Sequence, residues 1–340
     1  MPVPNLTFFC ELSTGGLNSI IDDRLIANMK QMNAKISLGI TDFSSKRAEI
    51  VQRLNREGIP LDAWLLLPRE QGFWLNLRNS PQVFQRYFEF QDWTKKFDLK
   101  WVGVGLDIEP DVEEFVDLLQ RNWRSLPHYL GRIFSRFEWK RGLRAYRRLV
   151  SLIHGDGYIV ESYQFPLIED ERKARSSILQ RILGLVNLQT DREVWMLYTS
   201  FVRPHGPGML ASYASEAQAI AVGSTGGGID EEFADFLPLT WDEFSRDLRL
   251  AWYWSNDLYI HSLEGCVRQG FLEQLKDFGW DYPVILPEAG IVRVEGWRRS
   301  LQTVLWIFSH TLVILGVAFG GVLIWRLLNR LIRKSQASRT

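Results

Sequence analysis

WVGVGLDIE, residues 101–109, is the segment whose reading decides the fold. Successive side chains of a β-strand point to opposite faces. Gly103, Gly105, Asp107 and Glu109 therefore share one face, and Val102, Val104, Leu106 and Ile108 share the other. An apolar face suits packing beneath helices, which leaves the glycines and acids to look inward. Seven further segments read as strands: 6–12 (LTFFCEL), 35–41 (KISLGIT), 61–67 (LDAWLLL), 158–165 (YIVESYQF), 193–201 (EVWMLYTSF), 219–224 (AIAVGS) and 258–263 (LYIHSL). Amphipathic stretches at 20–32, 45–57, 81–97, 169–186 and 241–256 alternate with them. Eight strand–helix units spread over residues 1–285 predict an α/β fold, the closed (β/α)8 TIM barrel, rather than an open doubly wound sheet. The glycine runs at 13–16 and 226–228 lack the Lys-Ser/Thr of a phosphate loop and read as flexible turns.

Composition removes several functions. The 340 residues carry 40 Lys plus Arg against 40 Asp plus Glu, so no net field draws the chain to nucleic acid. Cys10 and Cys266 are too few for a disulfide scaffold, and the five histidines have no metal-ligand spacing. No metal and no cofactor are expected. A hydrophobic fraction of 46% with 14 Trp, 20 Phe and 10 Tyr argues for a large packed core and against disorder.

Two segments stand outside the barrel pattern. Residues 111–156 form an enlarged unit after strand four. It carries nine basic residues, among them Arg132, Lys140 and Arg148, with interleaved aromatics such as Phe134, Phe137 and Trp139. Such a stretch either lies against anionic lipid or forms a solvated helical face over the barrel. Residues 286–299 read as a linker. The 26 residues that follow, 300–325, carry no Asp, Glu, Lys or Arg. A helix of about 20 residues crosses the hydrocarbon core, so 300–326 is expected to be a transmembrane helix. Arg298 and Arg299 flank it on one side; Arg326, Arg330, Arg333 and Lys334 flank it on the other, in a basic tail over 327–340. Gly316 and Gly320 are spaced for close helix approach and so for a homodimer. The N-terminal residues 1–16 show neither the positive region nor the apolar run of a signal peptide, so the barrel is expected on the cytoplasmic side.

In a barrel of this kind the active site lies at the C-terminal strand ends. Carboxylates recur there: Glu11, Asp42, Asp107, Glu109, Glu161 and Glu264. Trp64, Trp74, Asn76, Tyr163, Gln164 and Tyr198 join them. Acids beside flat rings suit a carbohydrate, because carboxylates act at the glycosidic bond and rings stack on sugar faces. Asp107 and Glu109 repel one another, so one should hold its proton and serve as donor. Glu161, on the neighbouring strand, would stand about 5–5.5 Å from Glu109 if the pair worked as acid and nucleophile. Glu264 is the other candidate partner. His261 alternates with Tyr259 and Leu263 and is expected to point outward. Trp64 and Trp74 serve equally as sugar platforms or as packing.

At this point the chain resembles family 18 glycoside hydrolases, the chitinase-type barrels. GLDIE at 105–109 matches the end of their strand-four pattern D-x-x-D-x-D-x-E, and MLY at 196–198 is similar to their M-x-Y. The resemblance implies Glu109 as general acid, Asp107 as the group orienting a substrate N-acetyl, and Tyr198 as support for the intermediate. The two earlier acids of the pattern are Val102 and Gly105 here, Thr199 follows the tyrosine, and strand eight has no Trp. The expected function is a membrane-anchored glycoside hydrolase acting on a glycan or glycolipid. The alternative is a non-catalytic tethered barrel that binds carbohydrate or serves as a scaffold.

Overall fold

Short β-branched and aromatic runs, each followed by a helix, pair as eight parallel strands in one closed barrel, in chain order, with the last strand returning to the first. The structure is a computed structural model. It describes residues 3–119, 126–228 and 236–310, with backbone alone at 117–119 and 126–128, and the isolated helical positions Gly316 and Arg326. The strands are β1 (Asn5–Cys10), β2 (Lys35–Ile40), β3 (Leu61–Leu65) and β4 (Gly103–Ile108), then β5 (Ile159–Gln164), β6 (Arg192–Met196), β7 (Ala219–Gly223) and β8 (Asp257–His261). All eight overlap the expected segments, although β6 ends at Met196 and not at 201, where Thr199–Val202 form a helical turn.

Helices fill the crossovers. After β1 come α1 (Thr14–Ile20) and α2 (Asp23–Gln31), after β2 α3 (Ser45–Arg56), and after β3 α4 (Ser80–Phe97). After β4 come α5 (Val112–Leu119), α6 (Leu126–Gly131) and α7 (Arg136–Gly155); after β5, α8 (Leu167–Lys173) and α9 (Ile178–Leu183). The remaining crossovers are α10 (Gly206–Ala214) and α11 (Trp241–Trp254), with α12 (Leu263–Arg268) and α13 (Phe271–Lys276) after β8. The expected helix at 169–186 is two helices, because Arg175 takes a left-handed φ of +50° that ends the first. In the enlarged unit, α7 buries Tyr146, Leu149 and Ile153 against the barrel and leaves Lys140, Arg141, Arg144, Arg147 and Arg148 exposed. An exposed basic face of this kind suits a solvated surface and contact with anionic lipid alike. Arg121, Arg124 and Trp123 lie outside the described residues.

Two apolar layers result. Outward strand residues such as Leu38, Val104, Leu106, Val160 and Ile260 are fully buried beneath helix residues such as Val51, Phe90, Ile153 and Leu248. Inside the barrel, Phe9 packs edge-on against Trp64 at 5.2 Å and Tyr163 at 4.7 Å, with Met196 and Tyr259 in the same cluster. Beneath these rings lies a buried charge cluster. Lys35 bridges Asp62 and Glu161, with Nζ at 3.0 Å from Glu161, and Arg192 reaches Glu161 at 3.3 Å.

The stretch expected as a linker, 286–299, is instead the start of α14 (Glu288–Ser309), a 22-residue helix docked on the barrel. Gly208 of α10 meets Gly290 of α14 so closely that a Cβ on Gly208 would lie 2.6 Å from the Gly290 carbonyl carbon. Arg298 is the clamp. It donates to Asp170 at 3.0 Å and to the Ser212 carbonyl at 2.7 Å, pairs with Glu216 at 3.0 Å, and stacks over Tyr213 at 3.8 Å. Further along, Leu301 and Leu305 pack on Ile133, Ile178 and Ile182. The expected span therefore begins differently: one face of its first ten residues, with Leu301, Gln302, Leu305 and Ser309, lies against the barrel, while Val304, Trp306, Ile307 and Phe308 are exposed. Among the described residues no helix is long and apolar enough to cross a membrane. The centre of the expected span, Gly320 and the basic tail fall outside the described residues, and Gly316 is an exposed helical position.

Candidate active site

Asp107 and Glu109 close β4 and face inward, 2% and 8% exposed, and share a hydrogen bond. Trp64 of β3 donates its indole N–H to Asp107 Oδ2 at 3.1 Å. That tryptophan packs in the interior aromatic cluster and also holds an acid. Burial pushes the Asp107 carboxyl up to about 7, against the hydrogen bond with Glu109, the field of His261 and the Trp64 N–H, which favour its charged form. A carboxyl that keeps its proton near neutrality, joined to one that reaches a cavity, is suited to proton transfer.

His261 corrects the sequence reading. It shares its face with Tyr259 in the barrel interior and stacks on Tyr198 with ring centroids 5.3 Å apart and planes at 24°. Its field acts on Asp107 and on Glu264. Parallel pairing sets Gly223 of β7 and Phe9 of β1 beside it, and a Cβ on Gly223 would lie 2.6 Å from the His261 carbonyl oxygen and 3.3 Å from the Tyr198 ring. Alternation beyond the strand misled, because the chain turns into α12 at Ser262 and Leu263 no longer belongs to the strand's pattern.

Glu11 and Glu264 stand together at the top of β1 and β8. The Glu11 backbone N–H donates to Glu264 Oε1 at 3.3 Å, and Cys10 also bonds the Glu264 carboxylate. Burial raises the Glu264 carboxyl, opposed by His261 and these donors. The glycines at 226–228, expected as a flexible turn, pass directly over the pair. Gly227 and Gly228 have φ of +107° and +58°, and a Cβ on either would collide with Glu264 or Glu11.

Other candidates lie elsewhere. Glu161 is fully buried in the charge cluster. In the register it faces Gly105, four residues before Glu109, so about 13 Å of strand separates their levels. The 5–5.5 Å acid pair is therefore excluded. Tyr163 intervenes: its ring fills the space that Gly105 leaves open, and its hydroxyl meets Ser37 Oγ at 2.7 Å. Gln164 points outward and donates to Ser162 Oγ at 2.8 Å. Asp42 is a structural acceptor for Thr14, Ser44 and Arg47; despite partial burial, these hydrogen bonds and the guanidinium hold its carboxyl far below the usual range. Asn76 is buried in the loop after β3, where its carbonyl group binds Tyr146.

Two cavities meet at Glu109. The polar one is lined by Glu11, Trp64, Asp107, Glu109, Tyr163, Tyr198 and His261. It holds only about 20 Å³, room for about one water. The second, about 440 Å³, shares Trp74, Glu109, Met196 and Tyr198 with the first and opens outward past α14. Phe115, Phe165, Phe201, Met209, Trp297 and Leu301 complete its wall. None of these was a candidate from sequence, because they come from separate crossover helices and turns and from a helix beyond the barrel. Among the described residues no cluster of His, Cys, Asp and Glu could hold a metal ion.

No family model matches the chain, and no curated protein does. Solved structures do align. The glycoside hydrolase domain of PgaB (BpsB) from Bordetella bronchiseptica covers 82% of this chain and 99% of its own length, at 10% identity and a TM-score of 0.47. ScGas2 covers 75% of this chain and 55% of its own, at 12% identity and 0.42. A tryptophan synthase alpha-subunit from Pyrococcus furiosus covers 82% and 98%, at 13% identity and 0.41. These neighbours include a glycoside hydrolase domain, but none is described as family 18, and at such scores they carry no argument about activity. The chain is a (β/α)8 barrel with an inward acid pair at the C-terminal end of β4.

Proposed function

We infer that the chain is a glycoside-hydrolase-like barrel acting on a carbohydrate beside a membrane. The observation that carries this reading is the Asp107–Glu109 pair, hydrogen-bonded and inward, with Glu109 on the wall of a cavity large enough for a small-molecule substrate. Glu109, the more accessible of the two, donates a proton to the glycosidic oxygen as the bond to the anomeric carbon breaks. Asp107 holds the shared proton before donation, and the Trp64 N–H and the field of His261 support the charge that remains. A partner carboxylate is harder to find. Glu161 is buried elsewhere, and Glu11 is the further acid on the wall of the polar cavity. This favours the family 18 route, in which the substrate's own N-acetyl oxygen bonds the anomeric carbon and water then releases the sugar. Asp107 would orient that group and the Tyr198 hydroxyl would support the intermediate.

The membrane link is part of the same proposal. The uncharged stretch 300–325 with basic flanks supports an anchor. Because Leu301 and Leu305 pack on the barrel, the crossing helix would start later than the first uncharged residue.

The narrow space above Asp107 favours a second reading, a tethered barrel that binds carbohydrate without turnover. Chromogenic N-acetylglucosaminides and glucosides with wild type, Glu109→Gln and Asp107→Asn separate the two. The hydrolase reading expects N-acetyl-dependent release, reduced at least 100-fold by either change. Sugar binding by wild type with no release from any substrate would leave the binder.

A further inference from the structure

The cavity beside Glu109 is built for more than a sugar. Its wall carries two charged side chains, Glu109 and Arg298. The guanidinium is already engaged by Asp170, Ser212 and Glu216, and the Tyr213 hydroxyl also goes to Asp170. What faces the space beyond Glu109 is therefore mainly aliphatic and aromatic: Leu167, Val202, Met209, Val294 and Leu301 among them. A sugar presents hydroxyls at every edge, and burying them against such a wall leaves them without partners. An apolar chain meets no such cost. The cavity thus has one polar end, at the acid pair, and one apolar body.

Its position says where such a chain would come from. Val294, Trp297 and Leu301 of the wall belong to α14, the helix that leads into the uncharged stretch ending at residue 325. Leu301 lies about 12 Å along the helix axis from Ser309. The apolar body therefore sits next to the segment expected to enter the bilayer, and it is continuous with the acid pair through Glu109, Met196 and Tyr198.

We propose that the cavity holds the single apolar chain of a lipid-linked glycoside, with the glycosidic bond at Glu109 and the chain along α14. This rests on the hydrolase reading for the head group but not for the tail. Each buried methylene strengthens binding about fourfold, so lengthening the chain by two carbons strengthens it about fifteenfold while room remains.

Full-length protein in lipid nanodiscs is photolabelled with a decyl N-acetylglucosaminide bearing a diazirine at the tail end, and adducts are mapped by peptide mass spectrometry. Adducts should fall at 165–167, 201–209 and 294–301. Unlabelled decyl glycoside should displace them at about one-fifteenth the concentration needed of the octyl compound, with the methyl glycoside ineffective. Met209→Trp fills the cavity from α10, and Leu167→Trp, at an exposed rim position, fills it from the other side; each should lower this labelling at least fivefold. Adducts confined to 311–325, or equal displacement by methyl and decyl compounds, would overturn the proposal. Cavity labelling without turnover of any glycoside supports the tail site and sinks the hydrolase reading. Turnover without cavity labelling does the reverse.

Discussion

Replacing Arg298 with Met keeps an unbranched apolar stem and removes the guanidinium and its charge. In the wild type the guanidinium sits over Tyr213 and binds Asp170, Ser212 and Glu216, with its side chain 7% exposed and that of Asp170 fully buried. Without it, Asp170 is left with donors that are neutral, the Gln302 amide at 2.8 Å and the Tyr213 hydroxyl. Breaking a buried ion pair by deleting one partner costs about 3–5 kcal/mol, and the two retained donors place this case near the lower end, about 3 kcal/mol. For a domain of this size each kcal/mol moves the midpoint by roughly 2–4 °C, so Tm should fall by about 6–12 °C. Tryptophan fluorescence of full-length protein on heating reads the shift. Brief trypsin treatment should at the same time cut α14 of the variant at Arg293 or Arg299 faster than in the wild type. A shift below about 2 °C with unchanged proteolysis would refute the view that Arg298 fastens α14 to the barrel.

Trp64→Phe removes the N–H that favours the charged form of Asp107, so the carboxyl should rise further. The alkaline limb of the pH–rate profile, near pH 7 in wild type, should move up by several tenths of a unit, and an unmoved or lowered limb would contradict the assignment. Stability should fall as pH rises from about 4 to about 7. Burial lifts Asp62 to about 6, Asp107 to about 7 and Asp247 to about 6, so these groups bind more protons folded than unfolded across that window. Their contribution is complete below the unfolded value near 4 and is lost through the folded values; Tm at pH 5 should exceed Tm at pH 8. Gly105→Ala drives a methyl into the Tyr163 ring and should cost about 1–3 kcal/mol in a urea titration. Adding Tyr163→Leu should recover part of that loss, and strict additivity would show that the two positions do not touch.

Local alternation was enough to place all eight strands and to turn Asp107 and Glu109 inward, because which face a side chain takes depends on the strand's own two-residue repeat. Depth and partnership are not local. Glu161 and Glu109 lie on adjacent strands, yet the parallel register between β4 and β5 separates their levels, and that offset belongs to the closed barrel rather than to either segment. His261 sits one residue before the turn into α12, where the repeat can be read from only one side. The glycines over Glu11 and Glu264 look like any loop until the chain is folded back across the barrel end. The large cavity needed most of all: its walls come from the ends of several strands and from α14, a helix that reads as linker and apolar run in the sequence. Only docking through Arg298 and the Gly208–Gly290 contact brings it beside Glu109, because packing between distant segments carries no periodicity along the chain.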